Sequence, residues 1–289
     1  MNDYYLNIIV MTCLWAALSG AWNLMAGYGG LVSLGQSAFF GIGAYATAVL
    51  YATYGFSPWV GLVAGVVLTT STAVLISWPC FRLRGAFFSL ATMVFPIVTE
   101  IIANNWTDVT RGFTGIAMNF KPGIENFMFQ SRWAYVAAAF LLMLLVYGVT
   151  RWIHRGRLGL YLIAVRDDQD AAESMGVEPV RVKLLITMIS AALTSLGGFL
   201  YAQYILFLDP PSVFSINISV QIALFSLIGG LGTPLGPIVG SLIMTPLDGL
   251  LSTVLGGGPR LLIYGAVLLG VVLLAPQGVV GTLQARWRK

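Results

Sequence analysis

Apolar residues fall along this chain in long uninterrupted stretches, and a stretch of about 20 such residues crosses a bilayer as a helix. Nine are legible: Tyr4–Ala26, Ser33–Tyr54, Pro58–Pro79, Ala86–Ala103, Trp133–Ile153, Leu184–Leu208, Ile216–Ile228, Pro237–Leu255 and Leu261–Ala275. The seventh and ninth are short, the mark of a broken or re-entrant helix, which is tolerated where other helices enclose it. The pattern predicts an all-α, polytopic helical membrane protein of about nine spans, with eight to ten compatible. Residues 1–289 read as a single transmembrane domain.

Polar residues interrupt this pattern chiefly at one place. From Arg151 to Lys183 the chain holds Arg151, Arg155, Arg157, Arg166, Arg181 and Lys183 against Asp167, Asp168, Asp170, Glu173 and Glu178. That is 11 of its 26 Lys, Arg, Asp and Glu residues in 33 positions. A membrane-buried chain that gathers charge in one short, partly helical segment presents that segment to a soluble partner. Asp167, Asp168 and Asp170 stand where the dipole of a helix favours acids. Ala171, Ala172, Glu173, Ser174 and Met175 suit the helix itself, Gly176 suits its C-terminal cap, and Pro179 stops it. The expected element is a helix about two turns long. An ordinary solvated loop is the plainer alternative, but such loops rarely carry so ordered a run.

Composition closes off other classes. The chain is 58% hydrophobic and 9% charged, with mean hydropathy +0.86, whereas a soluble domain carries roughly 25% charged residues. Cys13 and Cys80 lie in or at the ends of apolar spans, and with one His they make neither a structural disulfide nor a convincing zinc site. The net charge of +4 reads as a positive-inside bias and does not call for nucleic acid. Arg82, Arg84, the six bases of the island, Arg286, Arg288 and Lys289 fall on one side of a nine-span arrangement. Arg111, Lys121, Arg132 and Arg260 fall on the other. The loop 154–183 and the C-terminus are therefore expected in the cytoplasm, with the N-terminus outside. The loop 104–132 is then extracytoplasmic, placed to cap the outer mouth. No basic stretch precedes the first span, so it is expected to be a retained helix and not a cleaved signal peptide.

Two Gly-rich breaks resemble each other: Gly29-Gly30-Leu31, Leu34-Gly35 and Gly41 against Gly229-Gly230-Leu231, Leu235-Gly236 and Gly240. Duplicated, interrupted helices build pathways near the midplane of transporters, although Gly is also common wherever membrane helices pack closely. Asn23, Ser33, Gln36 and Ser37, with Thr92, are uncharged polar groups along which a small solute passes without being trapped. Helix-to-helix hydrogen bonding is the alternative for each. Asp248 lies well inside the eighth span, where an ionised carboxylate costs about 2.5–3.5 kcal/mol. It must face protein, water or a cavity, in a pathway or helix-capping role. Glu100 lies near the outer end of the fourth span and reaches the interface. A membrane enzyme would have little besides His154 to work with, and no cofactor site is legible. No P-loop is present either, because none of Lys121, Lys183 and Lys289 follows a glycine. ATP-driven transport by this chain would need separate ATPase subunits.

The same residues carry a family resemblance. Asp170-Ala171-Ala172-Glu173-Ser174-Met175-Gly176 resembles the Glu-Ala-Ala-x-x-x-Gly coupling loop of ABC importer permeases, with Asp replacing the first Glu. GYGGLVSLGQSAFFGIGAY (27–45), RGAFFSLATMVF (84–95), AVRDDQDAAESMGV (164–177) and LIGGLGTPLGPIVG (227–240) are similar to the branched-chain amino acid permease family, most of all to its LivM type. The resemblance implies a permease subunit of an ATP-binding-cassette importer in the cell inner membrane, not an enzyme. It would carry branched-chain amino acids or a related small polar solute inward. It implies a homologous second permease subunit, two ATPase subunits and an extracytoplasmic substrate-binding protein as partners. It also implies that Arg166, Asp167, Asp170, Ala171, Ala172, Glu173 and Gly176 meet the ATPases. Two departures bear on the substrate. Gln36 stands where the family often has His, and Arg111-Gly112-Phe113-Thr114-Gly115 where it has a Gly-Gly-Ser-Asn-Gly-like run. Urea and short-amide importers use permeases of the same type. Outside this family, an ion-coupled secondary transporter using Asp248 or Glu100 is the alternative, and it leaves the island unexplained.

Overall fold

The structure, a computed structural model, describes residues 3–83, 85–255 and 278–287 together with positions 265 and 270. Helix α1 (Asp3–Asn23) passes into one turn of π-helix (Leu24–Tyr28), and after a break come α2 (Gln36–Ala52), α3 (Pro58–Cys80) and α4 (Ala86–Asn105). A single turn, α5 (Thr107–Thr110), and a loop lead to α6 (Arg132–Arg155), α7 (Arg157–Asp167), α8 (Gln169–Ser174) and α9 (Pro179–Ile205). The chain continues through α10 (Pro210–Phe214), α11 (Ile216–Gly229), α12 (Gly236–Leu255) and α13 (Gly278–Trp287).

Six helical stretches among the described residues are long and apolar enough to cross a membrane: Asp3–Tyr28, Pro58–Cys80, Ala86–Asn105, Arg132–Arg155, Pro179–Ile205 and Pro210–Gly229. The chain is a polytopic helical membrane protein, and among the described residues the β pairing is one two-residue ladder and an isolated bridge between Gly123 and Met128. The ninth predicted span, Leu261–Ala275, lies outside the described residues except at positions 265 and 270. The second predicted span is shorter than expected and starts at Gln36 instead of Ser33, because Gly29–Gly35 forms a break.

Burial sorts the helices into two layers. Helix α1 is buried over 78% of its most apolar stretch and α9 over 61%, against 28%, 22% and 28% for α3, α4 and α6. The outer helices turn Leu75, Trp78, Phe87, Leu90 and Leu141 outward. Lipid tails are as apolar as these side chains, so close packing and not water exclusion must hold the inner layer together. Small residues supply it. Gly61 and Gly65 of α3 lie against Thr47 and Gly43 of α2, where a Cβ on Gly61 would stand 2.7 Å from the Thr47 Cα. A Cβ on Gly198 of α9 would collide with the Phe40 carbonyl of α2.

The two ends of the bundle are distinct. At the start of α6, Arg132 donates to the Asp3 carbonyl at 3.1 Å, whereas the far end of α6 leads into α7 and α8. Helix α6 has 24 residues, which at 1.5 Å each separates Asp3 from α7–α8 by about 36 Å. On the Asp3 side the loop after α4 folds over the helix ends. Its Ile116–Ala117 pairs antiparallel with Phe207–Leu208, its Met128 is wholly buried, and its carbonyls at Asn119, Ile124 and Glu125 accept from Tyr51, Trp59 and Ser57. The loop 104–132 is thus an ordered element. On the other side the expected loop 154–183 is mostly helical. Extended backbone at Gly156 ends α6, and α7 then buries Gly159, Leu162 and Val165 on one stripe.

Candidate functional site

The breaks flanking α2 and α12 have the same design. Each begins with a Gly-Gly pair whose second member has positive φ, +66° at Gly30 and +130° at Gly230. Each is followed by a helix that starts at the equivalent position, Gln36 or Gly236. They also touch. Asn23 accepts from the Gly232 N–H at 2.8 Å and donates to the Thr233 carbonyl at 2.9 Å. Gly27 lies so close that a Cβ there would meet both the Asn23 side-chain oxygen and the Gly232 nitrogen. The repeated motif legible in the sequence is therefore one paired feature in space.

Irregular backbone at membrane depth needs polar partners from its surroundings. The first break has them. Leu31 N–H donates to the Met25 carbonyl at 3.0 Å, Trp22 Nε1 donates to the Ser33 carbonyl at 2.7 Å, and the Gly35 N–H reaches Ser33 Oγ at 3.1 Å. From α4, Thr92 Oγ1 accepts from the Leu34 N–H at 3.1 Å and Ser89 Oγ donates to the Val32 carbonyl at 2.6 Å. The break reaches deep into the bundle. Gln36, its last neighbour, meets Ser190 and Thr194, and Ser190 stands roughly 16 Å along α9 from Pro179.

The orientation of the Gln36 amide follows from its partners. Ser190 Oγ already donates to the Ala21 carbonyl at 2.7 Å, and Thr194 Oγ1 to the Ser190 carbonyl at 2.8 Å. Both hydroxyl protons are committed, so the amide must present its N–H groups to the two hydroxyls. Its Oε1 is then buried with no partner among the described residues. Ser37 sits one residue on, donating to the Phe214 carbonyl at 3.1 Å and accepting from Ser219 Oγ at 2.9 Å.

At the α7–α8 end, Asp168 is the N-cap of α8 and its carboxylate accepts from the Asp170 and Ala171 N–H groups, both at 3.0 Å. The helix closes on Gly176 at φ +84°, with Gly176 N–H bonded to Glu173 and Val177 N–H to the Ala172 carbonyl. That pair of bonds is the Schellman arrangement, which uses up carbonyls a helix end leaves free. Ala172 is buried, while Asp170, Ala171, Glu173, Met175 and Gly176 are exposed. Pro179 does more than stop α8, since it opens α9 at a position where its missing N–H is no loss.

The structure gathers the predicted residues into two groups. Arg166, Asp167, Asp170, Ala171, Ala172, Glu173 and Gly176 lie on or beside α8, and Asn23, Ser33, Gln36, Ser37 and Thr92 surround the first break. Asp248 stands apart. It is half-buried on α12, and its neighbour Gly249 lies beside Tyr4 and Ile8 of α1. Sequence reasoning missed Ser190 and Thr194, although Thr187, Ser190 and Thr194 form a polar stripe at helical spacing along α9. It also missed a bond from Arg166 to the Gly27 carbonyl at 2.9 Å, for which the sequence held no signal.

A family model for the permease component of branched-chain amino acid transport systems matches residues 4–275. The chain belongs to this family. As a permease component it is 27% identical to the high-affinity branched-chain amino acid transport system permease protein LivM of Salmonella typhimurium, over 94% of this chain and 69% of that protein. The LivM protein of Escherichia coli is similar to the same degree. The LivH permease protein of Salmonella typhimurium is 22% identical over 95% of this chain and 94% of its own length. No solved structure matches. This permease is thus a multi-pass ABC importer subunit of the branched-chain amino acid family, as the motifs implied, and the α8 sequence that first suggested it is a capped, exposed helix.

Proposed function

We propose that this permease carries branched-chain amino acids into the cell, driven through α8 by separate ATPase subunits. The observation that supports this most is α8 itself. It is a short helix, capped at both ends, that turns Asp170, Ala171, Glu173 and Gly176 outward at one end of the bundle. Arg166, Asp167 and Ala172 would complete the coupling element behind that face, Ala172 buried beneath it and Arg166 turned toward Gly27 and not toward the ATPases. Similarity to both LivM and LivH supports a homologous second permease subunit as the other half of the pathway. Two ATPases beneath and a substrate-binding protein on the Asp3 side would complete the importer.

The proposed orientation has α8 and the C-terminus in the cytoplasm and the N-terminus outside. It agrees with Gly278 of α13 lying against Gly229 and Gly230, near the α8 end, and with Asp3 lying at the other. The proposed nine crossings are α1, α2, α3, α4, α6, α9, α10–α11, α12 and Leu261–Ala275. Asn23, Ser33, Gln36, Ser37 and Thr92 would line the path, with Asp248 nearer its outer end. The buried Gln36 Oε1 is an acceptor suited to the ammonium group of an amino acid. A urea or short-amide cargo rests on the same permease type and on Gln36 standing where His is frequent.

Reconstitution with the ATPases, the second permease and the binding protein tests the proposal. Leucine, isoleucine and valine uptake should require ATP and survive collapse of the ion gradients. Uptake that persists without ATP and stops when the gradient is collapsed would instead establish an ion-coupled carrier, while uptake of urea in preference to leucine would reassign the cargo.

A further inference from the structure

We propose that Arg166 is a positioning residue for transport, the group that carries movement of α8 into the paired breaks beside it. This rests on the proposed role of α8 as the ATPase-driven element. Arg166 occupies the last turn of α7, two residues before the N-cap of α8. Its guanidinium is held on two sides. Nη1 donates to the Gly27 carbonyl at 2.9 Å, while Nε and Nη2 both reach Asp167 Oδ1 at 3.1 Å. The guanidinium thus ties the last turn of α7 to the π-helical turn that holds Gly27.

The stem of Arg166 is also engaged. It crosses Gly30, where a Cβ would stand 2.6 Å from the Arg166 Cγ. Arg166 therefore grips the break at both Gly27 and Gly30. Gly27 in turn belongs to the π-helical turn Leu24–Tyr28, and such turns are frequent at functional sites because they hold a helix in an irregular register. On its other side Gly27 abuts Gly232 and the Asn23 clamp. A shift of Gly27 cannot be absorbed locally and must move the second break with the first. A cavity of about 340 Å³ separates α7–α8 from Gly29, Gly30 and Leu31. It leaves α8 room to move relative to the break while Arg166 spans the two. The bond stabilises the state seen in this structure, and its loss in the other state gives the differential stability that a driven transition requires.

The test is the amount of leucine moved per ATP hydrolysed in proteoliposomes holding the full complex. Arg166→Met keeps an unbranched stem and removes every donor, and Arg166→Lys keeps one. With Arg166→Met the ATPases should still co-purify and hydrolyse ATP to within about two-fold of the parent, while leucine moved per ATP falls about ten-fold, inside the usual span of coupling energies. Arg166→Lys should recover about half of the loss by the same measure. An unchanged ratio in Arg166→Met overturns the inference, as does a parallel loss of hydrolysis and uptake at constant ratio. Should Arg166→Met fail to assemble, Asp167→Asn decides: it loosens the same guanidinium, so a lowered ratio supports the inference and an unchanged one overturns it. Leucine uptake by the parent complex without ATP would defeat the role of α8 itself. ATP-driven parent uptake with a normal Arg166→Met ratio defeats this inference alone.

Discussion

The Lys183 ammonium donates to the Gln169 side-chain oxygen at 2.7 Å, fastening the first residue of α8 to the second turn of α9. Helix α9 carries Ser190 and Thr194, which hold Gln36 at the start of α2. The charged island and the polar centre of the bundle are therefore parts of one continuous framework. Lys183→Met keeps the apolar stem and removes this donor. A hydrogen bond to a charged group is worth roughly 1.5–3 kcal/mol, and partial exposure of Gln169 places this one toward the low end. Melting in detergent should fall by about 2–4 °C, with ATP-driven leucine uptake lowered and the ATPases still bound. A full loss of ATPase binding would show that Lys183 shapes the docking surface instead.

Gly176→Pro should separate hydrolysis from uptake. Gly176 has φ +84° and its N–H bonds to Glu173, whereas proline fixes φ near −65° and has no N–H. The end of α8 must then unwind while the spans stay folded. A bulky residue at the buried Ala172 should act in the same way. Normal leucine uptake with unimpaired ATP use in these variants would count against docking at α8.

Asn23→Ala removes the clamp between the breaks. The Gly232 N–H and Thr233 carbonyl would each lose a partner where water is scarce, at about 1–3 kcal/mol per stranded group. Thermal stability should fall by several degrees and uptake should be lost more completely than stability alone explains. A variant that melts early yet transports normally would confine Asn23 to a structural role.

Thr92 allows a cleaner comparison. Thr92→Ser keeps the hydroxyl that accepts from the Leu34 N–H, and Thr92→Val keeps the shape without it. Valine should cost about 1–3 kcal/mol, read as a lower melting temperature, and serine much less. Equal melting of the two would mean that the Leu34 N–H finds another acceptor.

Much of this protein was legible in its sequence. Long apolar runs can only be satisfied as helices in lipid, because every backbone group must be bonded within its own segment. That requirement fixes the class, and most span boundaries lie within a few residues of the helices observed. The α8 ends were equally legible, since Asp168 and Gly176 act through bonds to their own neighbours in the chain and Pro179 through the N–H it lacks. Helix α7 was obscured by its polar residues, which masked the short buried stripe of Gly159, Leu162 and Val165.

The sequence by itself determined the membrane class, the capped helix and the two glycine-rich interruptions, because each depends on residues within a few positions of one another. Only the tertiary structure decided that the interruptions meet, that Asn23 bonds a segment over 200 positions away, and that Arg166 grips Gly27. Those contacts depend on how helices pack, and the small residues that allow close approach do not specify which partner will fill the space. Helix identity is a local property of the chain; the joining of α8 to the paired breaks is a property of the packed bundle.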